Sequence, residues 1–362
     1  MKIYVLTDER TGNTHQAIAL AEKLATDYTL IKLQYNCLAK LPNFLLKYYP
    51  IHIKSELLQD ILDQSLPDMI IAAGRRTTVL AFYLKKKFKD IKLIQIMHPN
   101  LPYNIFDAVI LPYHDCHLSS SRNLIAGSSK NSKIINTINY FLDIVVKPRY
   151  DKVDSSFRGN DIKHKNIIAI NGAINNVTDK FAAVSLELQK YYPDLKQFIA
   201  VIIGGNNKKF NFNKDEAILF SSLLNKIYTN QKIPFFISFS RRTPLEVKSI
   251  IKNNMPSSTI IYDPNKDIGY NPYIAMLANA KYIIVTADSI SMCSEAASSG
   301  KPLYIFYPPN FNSSKHKIFI KQLVEQKIAR IFDESVISLE EYNYKSLNES
   351  ERVAEIIKSL IK

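Results

Sequence analysis

From Lys2 onward, short apolar runs alternate with segments of helical spacing, and a chain built this way has few ways to bury its strands. KIYVLT at 2–7 passes through the polar DERTGNT into the helical HQAIALAEKLA. DMIIAAG at 68–74 leads in the same way into RRTTVLAFYLKKKF. LIKLQY, IKLIQIMHP, FDAVILP and the segment around NLIAG at 123–127 read as further strands of a first unit, with SELLQDILDQ as a helix. The pattern then starts again. KNIIAIN, KQFIAVIIGG, IPFFISFS, STIIYD, AKYIIVTA and KPLYIFY are strand-like, and DEAILFSSLLNKIY, TPLEVKSIIKNN, PYIAMLANA and SISMCSEAAS are the helices between them. The expected fold is α/β, with two Rossmann-like doubly wound domains facing a cleft.

A length of 362 residues suits two such domains. The expected division is residues 1–126, a connecting stretch at 127–165, a second domain at 166–330, and a helical tail at 331–362. The connecting stretch contains DSSFRGNDIK, which resembles the peptide encoded by small palindromic repeats inserted into bacterial genes. Its basic residues are therefore not counted towards a binding site.

Hydrophobic residues make up 46% and charged residues 22%, and no apolar run is long enough to span a bilayer. The start, MKIYVLTDER, is too short an apolar stretch for a secretory signal, so a cytoplasmic protein is expected, peripheral at most to the inner membrane face. Cys37, Cys116 and Cys293 show neither disulfide nor zinc spacing. The net charge of +14 is spread along a chain rich in Lys, Asn and Ile, as coding bias would produce. It favours acidic ligands such as nucleotide sugars or lipid phosphates over a specific nucleic-acid site.

Five strand-to-helix turns carry residues able to do chemistry. In TDERTGNTHQ, Gly12, Asn13 and Thr14 open a helix whose N–H groups face the cleft, with Asp8 and His15 as candidate proton acceptors. GRRTT places Arg75 and Arg76 at a second turn, suited to a phosphate or a carboxylate and equally to an interdomain ion pair. VIIGGNNKKFNF has Gly204, Gly205 and Asn206 where a backbone can approach a phosphate, though it lacks the G-x-x-x-x-G-K-S/T pattern of a P-loop. SFSRRTP sets Ser240, Arg241 and Arg242 before a proline-started helix, where basic residues oppose the dipole and call for an anionic partner.

The fifth turn, TADSISMCSEAASSGKPLYIF at 286–306, is the most informative. Asp288 or Ser289 can cap its helix, Ser291 and Met292 lie in the first turn, and Glu295 can accept from two ribose hydroxyls. His98, His114, Asp115 and His117 lie at strand ends without a zinc ligand set, and no hydrolase elbow or H-E-x-x-H is present. LPNFLLKYYPIHIK at 41–54 mixes apolar, aromatic and basic residues, which suits either a membrane surface or packing on its own domain.

In this order the motifs resemble those of the mitochondrial fission Elm (elongated mitochondria) family. The likeness runs through the five turns, His98-Pro99, FDAVILPYHD and NPYIAMLANAKYIIV. That family looks like a branch of the GT-B glycosyltransferases. Its pattern is similar to the bacterial N-acetylglucosaminyltransferase that builds the lipid-linked peptidoglycan precursor. The resemblance implies that Glu295 binds ribose, that Ser289 to Met292 bind the nucleotide, and that the Gly204-Gly205 turn lies at the diphosphate. TGNTH is poorer in glycine than the corresponding loop of that enzyme, which leaves His15 an acceptor-side or catalytic residue. Two functions follow. One is an inverting glycosyltransferase that uses a nucleotide-diphosphate sugar, without metal or other cofactor, and an acceptor such as a lipid. The other is a recruitment protein on the same shell, the role to which plant Elm proteins are linked.

Overall fold

The computed structural model describes residues 1–25, 27–41, 43–46, 49–63, 66–115 and 166–361. The expected insertion at 127–165, the strand read at 123–127, Cys116 and His117 lie outside the described residues.

The first unit runs β1 (Ile3–Thr7), α1 (Thr11–Leu24), β2 (Thr29–Lys32), α2 (Asn43–Leu46), α3 (Ser55–Asp63), β3 (Met69–Ala73), α4 (Arg75–Lys87), β4 (Lys92–Ile96), β5 (Ala108–Pro112) and β6 (Ile167–Ile170). All its strand pairs are parallel, in the order β2-β1-β3-β4-β5-β6. In register, Val5 lies opposite both Leu30 and Ile71. Strand order reverses between β1 and β3. The crevice beyond their carboxyl ends is therefore where this topology opens to a ligand.

The second unit runs α5 (Phe181–Tyr191), β7 (Ile199–Ile203), α6 (Lys214–Gln231), β8 (Phe235–Phe239), α7 (Leu245–Asn254), β9 (Ile260–Tyr262), α8 (Tyr273–Asn279), β10 (Tyr282–Thr286), α9 (Ile290–Ser298), β11 (Leu303–Phe306), α10 (Ser314–Glu325) and β12 (Ala329–Ile331). Its strands are also all parallel, in the order β12-β11-β10-β7-β8-β9, so its switch point lies between β7 and β10. Every residue of β7, β8 and β10 is buried, as expected of strands covered by helices on both faces.

Two boundaries differ from the sequence expectation. Ile167–Ile170, read as the opening of the second domain, pairs with β5 and closes the first sheet, with Val109 opposite Ile167. The last helix, α11 (Glu349–Leu360), returns to the first unit, where Val353, Ala354 and Ile357 share a core with Ala17, Leu20 and Ala21 of α1. Both have one cause: a chain that crosses twice between the sheets buries more apolar surface than one that leaves a free tail. No helix of the described residues is long and apolar enough to cross a membrane.

Candidate functional site

At the first switch point Asp8 follows β1 directly. Its Oδ1 accepts from the Arg10 N–H at 2.9 Å, while its Oδ2 is buried without a hydrogen-bond partner among the described residues. Burial raises its carboxyl above the ordinary aspartate range, against the opposing pull of Arg10 and Arg76. The Thr14 hydroxyl donates to Asp8 O at 3.1 Å, and the Asn13 and Thr14 N–H groups both donate to Arg10 O. Those two N–H groups are thus committed to the turn and are not the open donors expected from the sequence. Asn13 instead packs on Gly74, whose φ of +79° and lack of a Cβ admit it.

The two arginines of GRRTT part company. Arg75 turns to the 39–41 loop, donating from Nη1 to Leu41 O at 2.6 Å and from Nη2 to Ala39 O at 3.1 Å. This corrects its acceptor-side assignment: the guanidinium takes up carbonyls that the 39–41 loop would otherwise leave bare. Arg75→Met is expected to cost about 2 kcal/mol in denaturant unfolding and to speed amide exchange at 38–41; unchanged exchange there would refute the tie. Arg76 does stay at the switch point, with Glu9 3.8 Å away and the Tyr35 ring 5.5 Å from its Cζ.

The second switch point is already filled by the protein. Gly204 N donates to Thr286 Oγ1 at 2.8 Å, Gly205 N donates to Asp288 Oδ2 at 2.9 Å, and the Thr286 hydroxyl donates to Asp288 Oδ1 at 2.6 Å. Asn206 is equally committed, donating from N to Arg242 O at 3.2 Å and accepting at Oδ1 from Phe212 N at 2.8 Å. Gly204, Gly205, Asn206 and Asp288 therefore form a structural clasp between β7 and β10 rather than a phosphate cradle. Glycine is needed because a Cβ at 204 would overlap the Asp288 carboxylate and one at 205 the Arg242 carbonyl.

Ser240 shapes the next turn, accepting from Arg242 N at 3.2 Å, and leaves Arg241 and Arg242 exposed. Arg242 Nη2 lies 4.0 Å from Asp288 Oδ2, and Asn265 holds Arg241 O. Ser289 caps α9, accepting from Met292 N at 3.4 Å, while Ser291 and Met292 are half-buried in its first turn. One turn on, Glu295 Oε2 accepts from the Tyr273 hydroxyl at 2.5 Å. Burial pushes the Glu295 carboxyl up, with Tyr273 and then Lys180 opposing.

The two units meet here. A Cβ placed on Gly12 would stand 3.9 Å from Ser291 Oγ, so the first turns of α1 and α9 face each other at contact distance. His15, exposed on the same face of α1, has its pKa lowered by partial burial, and the charges of Lys180 and Arg241 add to that. Lys180, at the start of α5, thus acts on both His15 and Glu295, and nothing in the sequence singled it out. His15 on α1 and Glu295 on α9 thus lie near the two facing helix N-termini, a setting that favours anions, and the charge of Lys180 acts on both.

The other histidines are elsewhere. His98 accepts from Asn100 N within its own loop. His114 is buried against Phe319, and burial lowers its pKa to about 4, while Asp115 pairs with Lys315 across the units.

Two parallel six-stranded Rossmann-like sheets with helices on their faces define a GT-B type fold. Solved structures agree in fold. The UDP-GlcNAc 2-epimerase of Methanocaldococcus jannaschii superposes with a TM-score of 0.58 at 12% identity, over 99% of this chain and 100% of that one. A second structure of that enzyme, in complex with UDP-GlcNAc and UDP, gives a TM-score of 0.51 at 12% identity, over 99% of this chain and 100% of that one. The chain belongs to the family described as mitochondrial fission ELM1, whose pattern matches residues 11–361. It is 70% identical to the uncharacterized protein RP120 of Rickettsia prowazekii over 365 residues, covering 100% of this chain and 99% of that protein. It is also 27% identical to mitochondrial fission protein ELM1 of Arabidopsis thaliana over 303 residues, covering 82% of this chain and 65% of that one.

Proposed function

We propose that this protein is a GT-B type glycosyltransferase that takes a nucleotide-diphosphate sugar on its second unit and an acceptor hydroxyl on its first. The observation that carries this reading is the meeting of the α1 and α9 first turns, with His15 on the one helix and Glu295 on the other. Glu295 would take the ribose hydroxyls, and Ser289 to Met292 the nucleotide. The α9 N-terminus, Arg241 and Lys180 would offset the charge on the departing diphosphate. The acceptor oxygen attacks the anomeric carbon as the carbon–phosphate-oxygen bond breaks, with inversion. The proton passes to His15 or Asp8, the two bases on the acceptor side. No metal or cofactor enters this scheme.

Half-exposed Tyr49 and Ile51, next to Lys54, offer a face on which a lipid acceptor at an anionic membrane surface would approach the first unit. The test is incubation of the full chain with labelled nucleotide sugars and extracted membrane lipids. Transfer of label supports the reading, and hydrolysis alone or no turnover counts against it.

A second reading, a recruitment protein on the same shell, draws support from the filled Gly204-Gly205 clasp. It requires nucleotide binding without turnover or no binding at all.

Because the His15 pKa is held below its ordinary value, the imidazole is neutral and able to accept a proton at pH 7. Activity should fall in acid along a limb set by that pKa. Lys180→Ala or Arg241→Ala removes a positive neighbour, so the limb should move to higher pH in a kcat/KM profile. A limb that stays put in both variants would assign it to another group.

A further inference from the structure

The second unit contains a buried ion pair that no motif marked. Lys248, in the first turn of α7, donates from Nζ to Oδ1 of Asp263, the residue after β9, at 2.6 Å. The two residues are 3% and 2% exposed. Burial pushes the Asp263 carboxyl up, but the hydrogen bonds from Lys248 and Asn265 and the charges of Lys248 and Lys252 bring it below the ordinary aspartate range. Asp263 is therefore a carboxylate at pH 7. A buried ion pair often brings no net gain over an apolar pair of similar volume, so stability alone does not account for this one.

What the pair holds can be followed bond by bond. Asp263 Oδ1 also accepts from Asn265 N at 3.1 Å, and Asp263 N donates to Asp267 Oδ2 at 2.6 Å. The Lys266 and Asp267 N–H groups donate to Asp263 O at 2.9 and 2.8 Å, which closes the turn at 263–267. From that turn Asn265 Nδ2 donates to Arg241 O at 3.2 Å. Lys248 N donates to Pro244 O at 3.0 Å, and Lys248 Nζ lies 5.7 Å from the centre of the Phe239 ring. Phe239 and Pro244 flank the arginine turn at 240–243. One lysine thus reaches both ends of that turn, and the series Lys248, Asp263, Asn265 reaches its middle.

Arg241 is the residue of this turn whose charge acts on His15 of the first unit. It is exposed, and its guanidinium takes no hydrogen bond or ion pair among the described residues. The place of its charge therefore depends on the backbone that carries it. We propose that the buried pair of Lys248 and Asp263 is a positioning device, which through Asn265 fixes the backbone at Arg241 and keeps its charge within reach of His15. The use of that charge against a departing diphosphate rests on the transferase reading; its placement does not.

The test is NMR titration of the His15 imidazole at low ionic strength in the full chain, with the signal assigned by its loss in His15→Gln. Arg241→Ala gives the whole effect of the charge, and the His15 pKa should rise towards its ordinary value. Asn265→Ala cuts the tie to Arg241 O at an exposed position. Lys248→Met combined with Asp263→Leu replaces both charges at once, and melting curves check that each variant folds. Both should raise the His15 pKa by a clear part of the Arg241→Ala rise, and high salt, which screens an exposed arginine, should erase the differences. A His15 pKa unchanged in both, where Arg241→Ala raises it, would overturn the proposal. So would an unchanged value in Arg241→Ala itself, since the charge would then stand out of reach. Titration with UDP separates the two readings. Binding about fivefold weaker or more in Asn265→Ala ties the placement to the donor. His15 shifts without any loss of UDP binding, or in a chain that binds no UDP, uphold the positioning and remove its diphosphate role.

Discussion

Asp288→Ala should lower the unfolding free energy by about 4 kcal/mol, because it leaves two buried donors facing nothing at about 1–3 kcal/mol each, with further cost from the space vacated. Those donors are Gly205 N–H and the Thr286 hydroxyl, which reach the carboxylate at 2.9 and 2.6 Å. The residue is 3% exposed, so water has little access to replace it. A companion substitution separates this account from general disruption. Gly204→Ala alone forces a methyl into the Asp288 carboxylate and should destabilise the protein. In the Asp288→Ala background the same methyl finds the space empty. The double variant should therefore cost clearly less than the sum of the singles, with a coupling of about 1–3 kcal/mol. Denaturant melts of the four proteins decide it: additive costs would mean that the clasp does not couple the β7 and β10 turns.

That clasp shows where reading the sequence stops. A pair of glycines after an apolar strand announces a close approach, and the approach is there. What approaches is a carboxylate 83 positions further along the chain, not a phosphate, and no local pattern distinguishes the two. β6 was misplaced for a related reason. IIAI is apolar at all four positions although only Ile168 and Ile170 are buried, so its residues carry no polar alternation to show which sheet it joins, and the pairing of Val109 with Ile167 settles it. The turns themselves, the alternation of strand and helix, and the Ser289 cap with Glu295 one turn on were legible because they depend on neighbours within a few residues. Arg75 and Arg76 were not separable, since adjacent residues on a helix point to different places. Lys180 gave no signal, since the His15 and Glu295 side chains on which its charge acts lie far from it in the chain.

Glu295→Ala should weaken UDP binding about thirtyfold or more, given hydrogen bonds to a charged group worth about 1.5–3 kcal/mol and a tenfold change in affinity per 1.4 kcal/mol. Glu295 Oε2 is held by the Tyr273 hydroxyl, and the other oxygen takes no hydrogen bond from the described residues, so the carboxylate is aimed before any ligand arrives. Preorganisation of this kind lowers the cost of binding without adding a contact. Burial raises the carboxyl pKa while Tyr273 and Lys180 oppose it, so both neighbours favour the ionised form that accepts from hydroxyls. Tyr273→Phe should therefore weaken UDP less than Glu295→Ala, because it loosens the carboxylate and leaves it in place. Removing Glu295 also strands the Tyr273 hydroxyl, so binding must be compared at a temperature where melting curves show each variant folded. Titration calorimetry with UDP, and with uracil as a ligand lacking ribose, separates the contributions. UDP affinity equal in wild type and Glu295→Ala would remove the ribose role, and a loss as large for uracil as for UDP would place Glu295 at the base.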